Sequence, residues 1–173
     1  MAEKQLIIEV MASVTQRTSA YFKSEFGIIT TENNSSGGEL DALVLLDMTA
    51  VIIMGGKINL LVVFSFEESL INAIYHEMTD ELGIADDEIE TYRKAAAGDV
   101  INTVLGHSTI DLLTLDKNGI SITPPRILKD ANIIREMKCK MFYAQSLNTP
   151  LGGITISLVG SQKLFNEIFC ITG

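Results

Sequence analysis

The stretch that decides the fold occupies residues 51–64 and reads VIIMGGKINLLVVF. Two apolar runs rich in β-branched residues flank Gly55 and Gly56, and glycine readily adopts the positive φ that a tight hairpin turn requires. The segment therefore predicts two antiparallel strands joined at that turn. Because each run is continuously apolar, we expect both strands to be covered on both faces.

The same pattern recurs in the second part of the chain. Gly152 and Gly153 precede another apolar strand and an amphipathic segment, as Gly55 and Gly56 do. The repeat predicts one α+β domain over residues 1–173, made of two related halves at about 1–83 and 84–173. We expect a pseudo-twofold arrangement with a largely antiparallel sheet covered by helices.

The other predicted elements follow from periodicity and turn-forming residues. Ser65 and Ser161 are each expected to cap a following helix. Cys139 and Cys170 lie in apolar surroundings without metal-ligand spacing and are expected to be reduced and buried. The remaining predictions are a first helix at residues 6–22, short strands at 27–31 and 43–46, an exposed loop at 32–38, a turn at 116–119, and strands at 120–123, 138–147 and 154–159.

Composition excludes several classes of function. The 173 residues carry a net charge of −9 and no basic cluster, so we expect no nucleic-acid partner. Mean hydropathy is +0.28, but no run of about eighteen apolar residues occurs, so we expect no membrane span. The N-terminus does not have the pattern of a signal peptide, which predicts a cytoplasmic protein.

Known nucleotide and hydrolase motifs are absent from the sequence. It contains no phosphate-binding loop ending in Lys-Ser or Lys-Thr, no GxSxG, no HExxH and no GxGxxG. His76 and His107 are too few and too far apart to indicate a metal centre. We therefore expect no metal site and no cofactor belonging to this chain.

The central helix, predicted to begin near residue 86 or 87, carries the candidate site. Asp99 and Asn102 are spaced i and i+3, which places them on one outward face together with Ala95 and Gly106. Such a face is by itself typical of a solvated stripe. Gly98 and Gly106 favour docking instead, since each costs a helix about 1 kcal/mol relative to alanine and commonly permits close approach. A C-cap is a competing explanation for Gly106.

The residues 99–102, together with Pro125 and Gly106, give the chain a family resemblance. It resembles the CheC/CheX/FliY family of chemotaxis phosphatases, whose signature is an acidic residue, two others, an asparagine, and a proline twenty-three residues later. A single motif makes the chain more similar to CheX, because Glu9 on the first helix is followed three residues later by Ala12. The family usually has glutamate where this chain has Asp99.

The resemblance implies a phosphatase that accelerates hydrolysis of the aspartyl phosphate on a phosphorylated response-regulator receiver, such as CheY. Asn102 would orient the attacking water, and Asp99 would pair with the receiver's lysine. Partner docking would involve Ala95, Gly98, Gly106 and Pro125. Magnesium would belong to the receiver. The resemblance also implies a homodimer, and the alternative function is a non-catalytic receiver-binding or dimerisation module.

Overall fold

The computed structural model describes residues 3–114 and 119–169, and seven strands within them form one antiparallel sheet. Its strand order is β1-β6-β7-β3-β2-β4, with β5 also paired to β2. This sheet, packed against helices, confirms the predicted α+β class. The strands are β1 (Thr31–Glu39), β2 (Met48–Gly55), β3 (Leu60–Phe66), β4 (Ser121–Ile122), β5 (Arg126–Ile127), β6 (Lys140–Thr149) and β7 (Gly152–Ser161).

Four α-helices and three short 3₁₀ segments complete the described fold. The two long helices, α1 and α3, pack against each other, and α2 packs against α3. The helices are α1 (Glu3–Phe26), α2 (Glu68–Thr79), α3 (Ile89–Leu113) and α4 (Gln162–Phe169), and the 3₁₀ segments are Leu40–Ala42, Asp86–Glu88 and Ala131–Ile134. Across residues 3–114 and 119–169, every helix is too short or too polar to cross a bilayer.

The predicted hairpin is confirmed as β2 and β3. The two strands pair from Met48 opposite Phe66 to Met54 opposite Leu60. Gly56, in the turn, has a φ of 147°, a conformation that favours glycine over residues with a side chain. The strands predicted at 138–147 and 154–159 are confirmed as β6 and β7, which form a second hairpin, and β7 joins it to the first by pairing with β3.

The two faces of the sheet are covered differently. One face packs under the helices, where Ile52, Val62 and Phe64 belong to the main apolar core. The opposite face is covered by two of the 3₁₀ segments, Leu40–Ala42 and Ala131–Ile134, and the chain next to them, with Val63 in a smaller core. The prediction that both faces of these strands are covered is confirmed for most of β3. It is wrong for Ile53 of β2, which is 57% exposed. The helices and the candidate site lie on one side.

The predicted loop at residues 32–38 is wrong, because these residues belong to β1. Their side chains are mostly exposed, but the backbone pairs with β6, with a bulge between Glu32 and Ser35. Turn-forming residues are tolerated here because an edge strand needs only main-chain hydrogen bonds along one side. The strands predicted at 27–31 and 43–46 are also displaced, since residues 27–30 and 43–47 contain no strand.

Two smaller predictions were also wrong. Ser65 lies in β3, where its hydroxyl accepts from the Leu46 amide at 2.6 Å; Glu67 is the N-cap residue of α2. Cys139 is exposed, in a turn with a φ of 59°, and is not a core residue.

The predicted cap of the last helix is confirmed, because Ser161 accepts a hydrogen bond from the Leu164 amide at 3.3 Å at the start of α4. Cys170 and most of the predicted turn at 116–119 lie outside the described residues, and the division into two halves stays a prediction.

Candidate partner-docking site

The helix that carries the motif is longer than its sequence indicates. Helix α3 begins at Ile89 and continues through Gly106 to Leu113. The C-cap explanation for Gly106 is therefore wrong, and His107 lies within the helix. Gly98 and Gly106 are both interior helix positions, each of which costs about 1 kcal/mol relative to alanine.

Asp99 and Asn102 are both exposed on the outer surface of α3. Ideal helix geometry places their directions about 60° apart around the axis, with Ala95 and Gly106 between them. Ala95 is also exposed, whereas Gly106 is partly buried. Val100, Ile101 and Val104, on the other side of the helix, are fully buried. The carboxylate and the carboxamide are thus presented to solvent by a well-anchored helix.

Helix α1 supports one flank of α3 through an ion pair. The Arg17 guanidinium donates from Nε to one Asp111 oxygen at 2.8 Å and from Nη2 to the other at 2.5 Å. Ser13 donates to the same carboxylate at 3.0 Å. The hydrogen bond from Arg17 is the main reason that the pKa of Asp111 is lowered to about 2. This partly exposed ion pair links the two long helices.

Tyr21 brings α1 near the motif itself. Burial is the largest cause that raises the pKa of the Tyr21 phenol, followed by the negative charges of Glu25 and Asp99. Its ring packs edge-on against Phe26, with centroids 5.7 Å apart. Sequence reasoning missed Tyr21 as a neighbour of the site, because the pairing of α1 with α3 is not visible in local periodicity.

Pro125 flanks α3 on the side opposite α1. A Cβ built on Gly98 would lie 3.9 Å from Cγ of Pro125, an ordinary van der Waals contact. Pro125 is held there because β4 and β5, on either side of it, both pair with β2. The structure therefore brings the proline of the signature to the helix of the signature. The proposed role of Gly98 in docking a partner stays a prediction.

Gly106 and Ala95 leave free space beside the motif. Within residues 3–114 and 119–169, a Cβ built on Gly106 would meet no heavy atom within 4 Å apart from the nearby backbone of α3, so the surface there is open. A cleft of about 490 Å³ between α1 and α3 is lined by residues including Ser13, Arg17 and Asp111, but not by Asp99 or Asn102. Both side chains are exposed on the outer face of α3, here called the ridge and formed by Ala95, Asp99, Asn102 and Gly106, which suits a macromolecular partner better than a small ligand.

Metal-binding chemistry has no evident location in the described part of the chain. Among residues 3–114 and 119–169, no three His, Cys, Asp or Glu side chains are grouped so that they could hold an ion. Asp99 and Asn102 supply one carboxylate and one amide. The candidate site offers a charge and a hydrogen-bonding group to a partner.

Comparison with known proteins identifies the family. A family profile described as "Chemotaxis phosphatase CheX" matches residues 48–148, which is more than half of the chain and includes Asp99, Asn102 and Pro125. The chain belongs to the CheX family. No curated protein sequence is significantly similar to it.

Solved structures of CheX-family and related proteins share the fold. Chemotaxis protein CheX from Desulfovibrio desulfuricans superposes with a TM-score of 0.71 at 17% identity, covering 87% of this chain and 97% of that one. FliY from Thermotoga maritima gives 0.65 at 15% identity, covering 96% and 93%. CheX from Borrelia burgdorferi, solved as a CheX-CheY-BeF3-Mg complex, gives 0.65 at 14% identity, covering 87% and 96%.

Proposed function

We propose that this CheX-family chain is a phosphatase for the aspartyl phosphate of a receiver domain in chemotaxis or two-component signalling. The observation that carries the proposal is the joint exposure of Asp99 and Asn102 on the ridge of α3, beside Pro125. A ridge can enter the shallow active site of another protein, whereas it cannot enclose a small substrate.

The partner is inferred from the family and from one structural relative. The CheX of Borrelia burgdorferi was solved together with CheY carrying BeF3 and magnesium. A CheY-like receiver is therefore the partner that we propose for this chain. Magnesium would enter with the receiver, and this chain would supply no cofactor.

Asn102 would act by positioning water. Its carboxamide has both a hydrogen-bond donor and an acceptor, so it can hold a water molecule in line with phosphorus. The water oxygen forms a bond to phosphorus as the bond to the aspartyl oxygen breaks, giving inorganic phosphate and a free carboxylate. The acceleration comes from orientation, and no proton transfer by Asn102 is required.

Asp99 would fix the approach of the receiver. An exposed carboxylate on α3 can pair with a lysine of the partner, a charge-assisted contact that holds Asn102 in register. Asp99 is one methylene shorter than the glutamate usual in the family, a difference in reach of roughly 1.5 Å. Gly98 and Ala95, which lie beside Asp99 on α3, are small and would allow the receiver to approach more closely.

The proposal is tested by measuring phosphate release from receivers of the same cell that have been phosphorylated with acetyl phosphate. Wild-type chain is expected to accelerate release from one of them, and Asn102→Ala is expected to remove most of that acceleration while retaining binding. Asn33→Ala is the matched control, because Asn33 is exposed on β1, at the edge of the sheet away from Pro125. If no receiver loses phosphate faster with the wild-type chain than alone, the phosphatase function is rejected.

A non-catalytic receiver-binding or dimerisation module is the second candidate, and the shorter Asp99 favours it. Binding of a beryllofluoride-activated receiver without any acceleration of phosphate release would support it. We also propose a cytoplasmic homodimer. Light scattering at micromolar concentration tests the oligomeric state, and a monomeric mass would contradict it.

A further inference from the structure

Two large exposed side chains lie on the same ridge of α3 as the candidate pair. Tyr92 is 37% exposed and Ile110 is 62% exposed. Counted around the helix, both point within about 20° of the direction of Asp99. One precedes the pair and the other follows it, so the polar centre of the ridge has an apolar residue on each side.

Their distances along the helix match the size of a protein interface. Relative to the midpoint between Asp99 and Asn102, Tyr92 lies about 13 Å towards the N-terminus and Ile110 about 14 Å towards the C-terminus. A standard interface buries roughly 800 Å² on each partner, equivalent to a disc of about 16 Å radius. A partner centred on the pair would therefore cover both residues.

The surface between these residues is open to a partner. Both flanks of α3 are occupied by the chain itself, through the ion pair of Arg17 with Asp111 and through Pro125 against Gly98. On the outer face, Gly106 leaves a depression between Asn102 and Ile110. Tyrosine and branched aliphatic side chains beside such a depression supply apolar area that charged contacts alone do not.

We propose that Tyr92 and Ile110 are the apolar anchors that hold the receiver over Asp99 and Asn102. The inference rests on the proposed function for the identity of the occupant. In this arrangement, the central pair acts on the phosphoryl group while the two anchors determine affinity and the choice among receivers. Truncating an anchor thus weakens docking without removing the group that orients water.

The experiment separates docking from chemistry by using Tyr92→Gln, Ile110→Gln and the double variant. Glutamine keeps helix propensity and replaces the apolar side chain, of which 37% is exposed in Tyr92 and 62% in Ile110, so retention of the wild-type circular dichroism spectrum is checked first. We measure KM and kcat for phosphate release from the phosphorylated receiver, and Kd for the same receiver activated with beryllofluoride and magnesium. The double variant is expected to raise KM and Kd about tenfold, with kcat changed less than about twofold.

Ile133→Gln is the matched control. Ile133 is 58% exposed and belongs to the 3₁₀ segment on the opposite face of the sheet, so its replacement should leave KM and Kd unchanged. Equal effects of the control and the double variant overturn the proposal, as does an unchanged Kd in the double variant. A loss of dimer mass in Ile110→Gln with unchanged receiver Kd also overturns it, because a second copy would then occupy this face.

Failure of the phosphatase function gives a different result from failure of the anchors. If the wild-type chain binds the activated receiver without accelerating phosphate release, while the double variant binds about tenfold more weakly, the anchors stand and the catalytic function is rejected. If wild-type and double variant release phosphate with equal KM and kcat, the catalytic function stands and the anchors are rejected.

Discussion

Pro125, which lies between β4 and β5, is next to the position that a side chain on Gly98 of α3 would occupy. A Cβ on Gly98 would be 3.9 Å from Cγ of Pro125. The helix and the proline of the family signature therefore form one structural unit, in which the proline lies beside the residue that precedes Asp99. This relationship gives a structural reason for the signature, which combines Asp99 and Asn102 on a helix with a proline twenty-three residues after the asparagine.

Gly98→Ala tests how tightly that unit is packed. Because the added methyl group would make an ordinary contact with Pro125, we expect the favourable helix propensity of alanine to raise the free energy of unfolding by about 0.5–1 kcal/mol. Urea denaturation measures it. A clear loss of stability would show that the added methyl group clashes with Pro125. A gain in stability with a weaker receiver Kd would support a docking role for Gly98.

Asp99→Glu tests whether the length of the carboxylate limits activity. We expect kcat/KM for receiver dephosphorylation to rise, by up to about a hundredfold, since a displacement of about 1 Å can change rates to that extent. Asp99→Ala should lose the contact and lower kcat/KM below wild type. A fall in kcat/KM for Asp99→Glu would indicate that the receiver already approaches more closely and has no room for the longer side chain.

The ion pair between Arg17 and Asp111 predicts a specific acid dependence of stability. The pKa of the Asp111 carboxyl is lowered from 3.8 to about 2 in the fold, chiefly by the Arg17 hydrogen bond. A carboxyl with a lowered folded pKa stabilises the protein above its unfolded pKa. That stabilisation is lost as the pH falls from about 3.8 to about 2.

Thermal denaturation of wild type and Arg17→Met between pH 7 and pH 2 measures this contribution. The wild type should have the higher Tm at neutral pH, and the difference should shrink as the pH falls below 4. Asp111→Asn is the second variant, because it removes the Asp111 carboxyl whose pKa is lowered by Arg17. A Tm difference that stays constant over the whole range would contradict the assignment.

Gly160→Ala tests the packing of α4 on the sheet. A Cβ at this position would lie 2.6 Å from Cε2 of Phe165 and 3.0 Å from Cδ2 of Leu60, so the core must shift. Both neighbouring side chains are buried, and overpacking of this kind costs about 1–3 kcal/mol. Gly106→Ala is the control, since its Cβ would meet nothing within 4 Å. Urea denaturation should show destabilisation only for Gly160→Ala.

The sequence by itself determined the elements whose signals are local. The hairpin of β2 and β3 follows from two apolar runs around paired glycines, and the outward face of α3 follows from helical spacing of Asp99 and Asn102. Periodicity predicts such features because neighbouring residues in the chain fix which side of an element faces the core. The family signature added Pro125, whose position relative to α3 no periodicity could give.

Only the tertiary structure decided the features that depend on pairing between distant segments. Residues 31–39 are turn-forming by composition, yet backbone hydrogen bonds to β6 make them an edge strand. Tyr21 comes near Asp99 only because α1 packs on α3, and Pro125 reaches Gly98 only because β4 and β5 join β2. Local propensity is worth less than about 1 kcal/mol per residue, so long-range hydrogen bonding and burial override it.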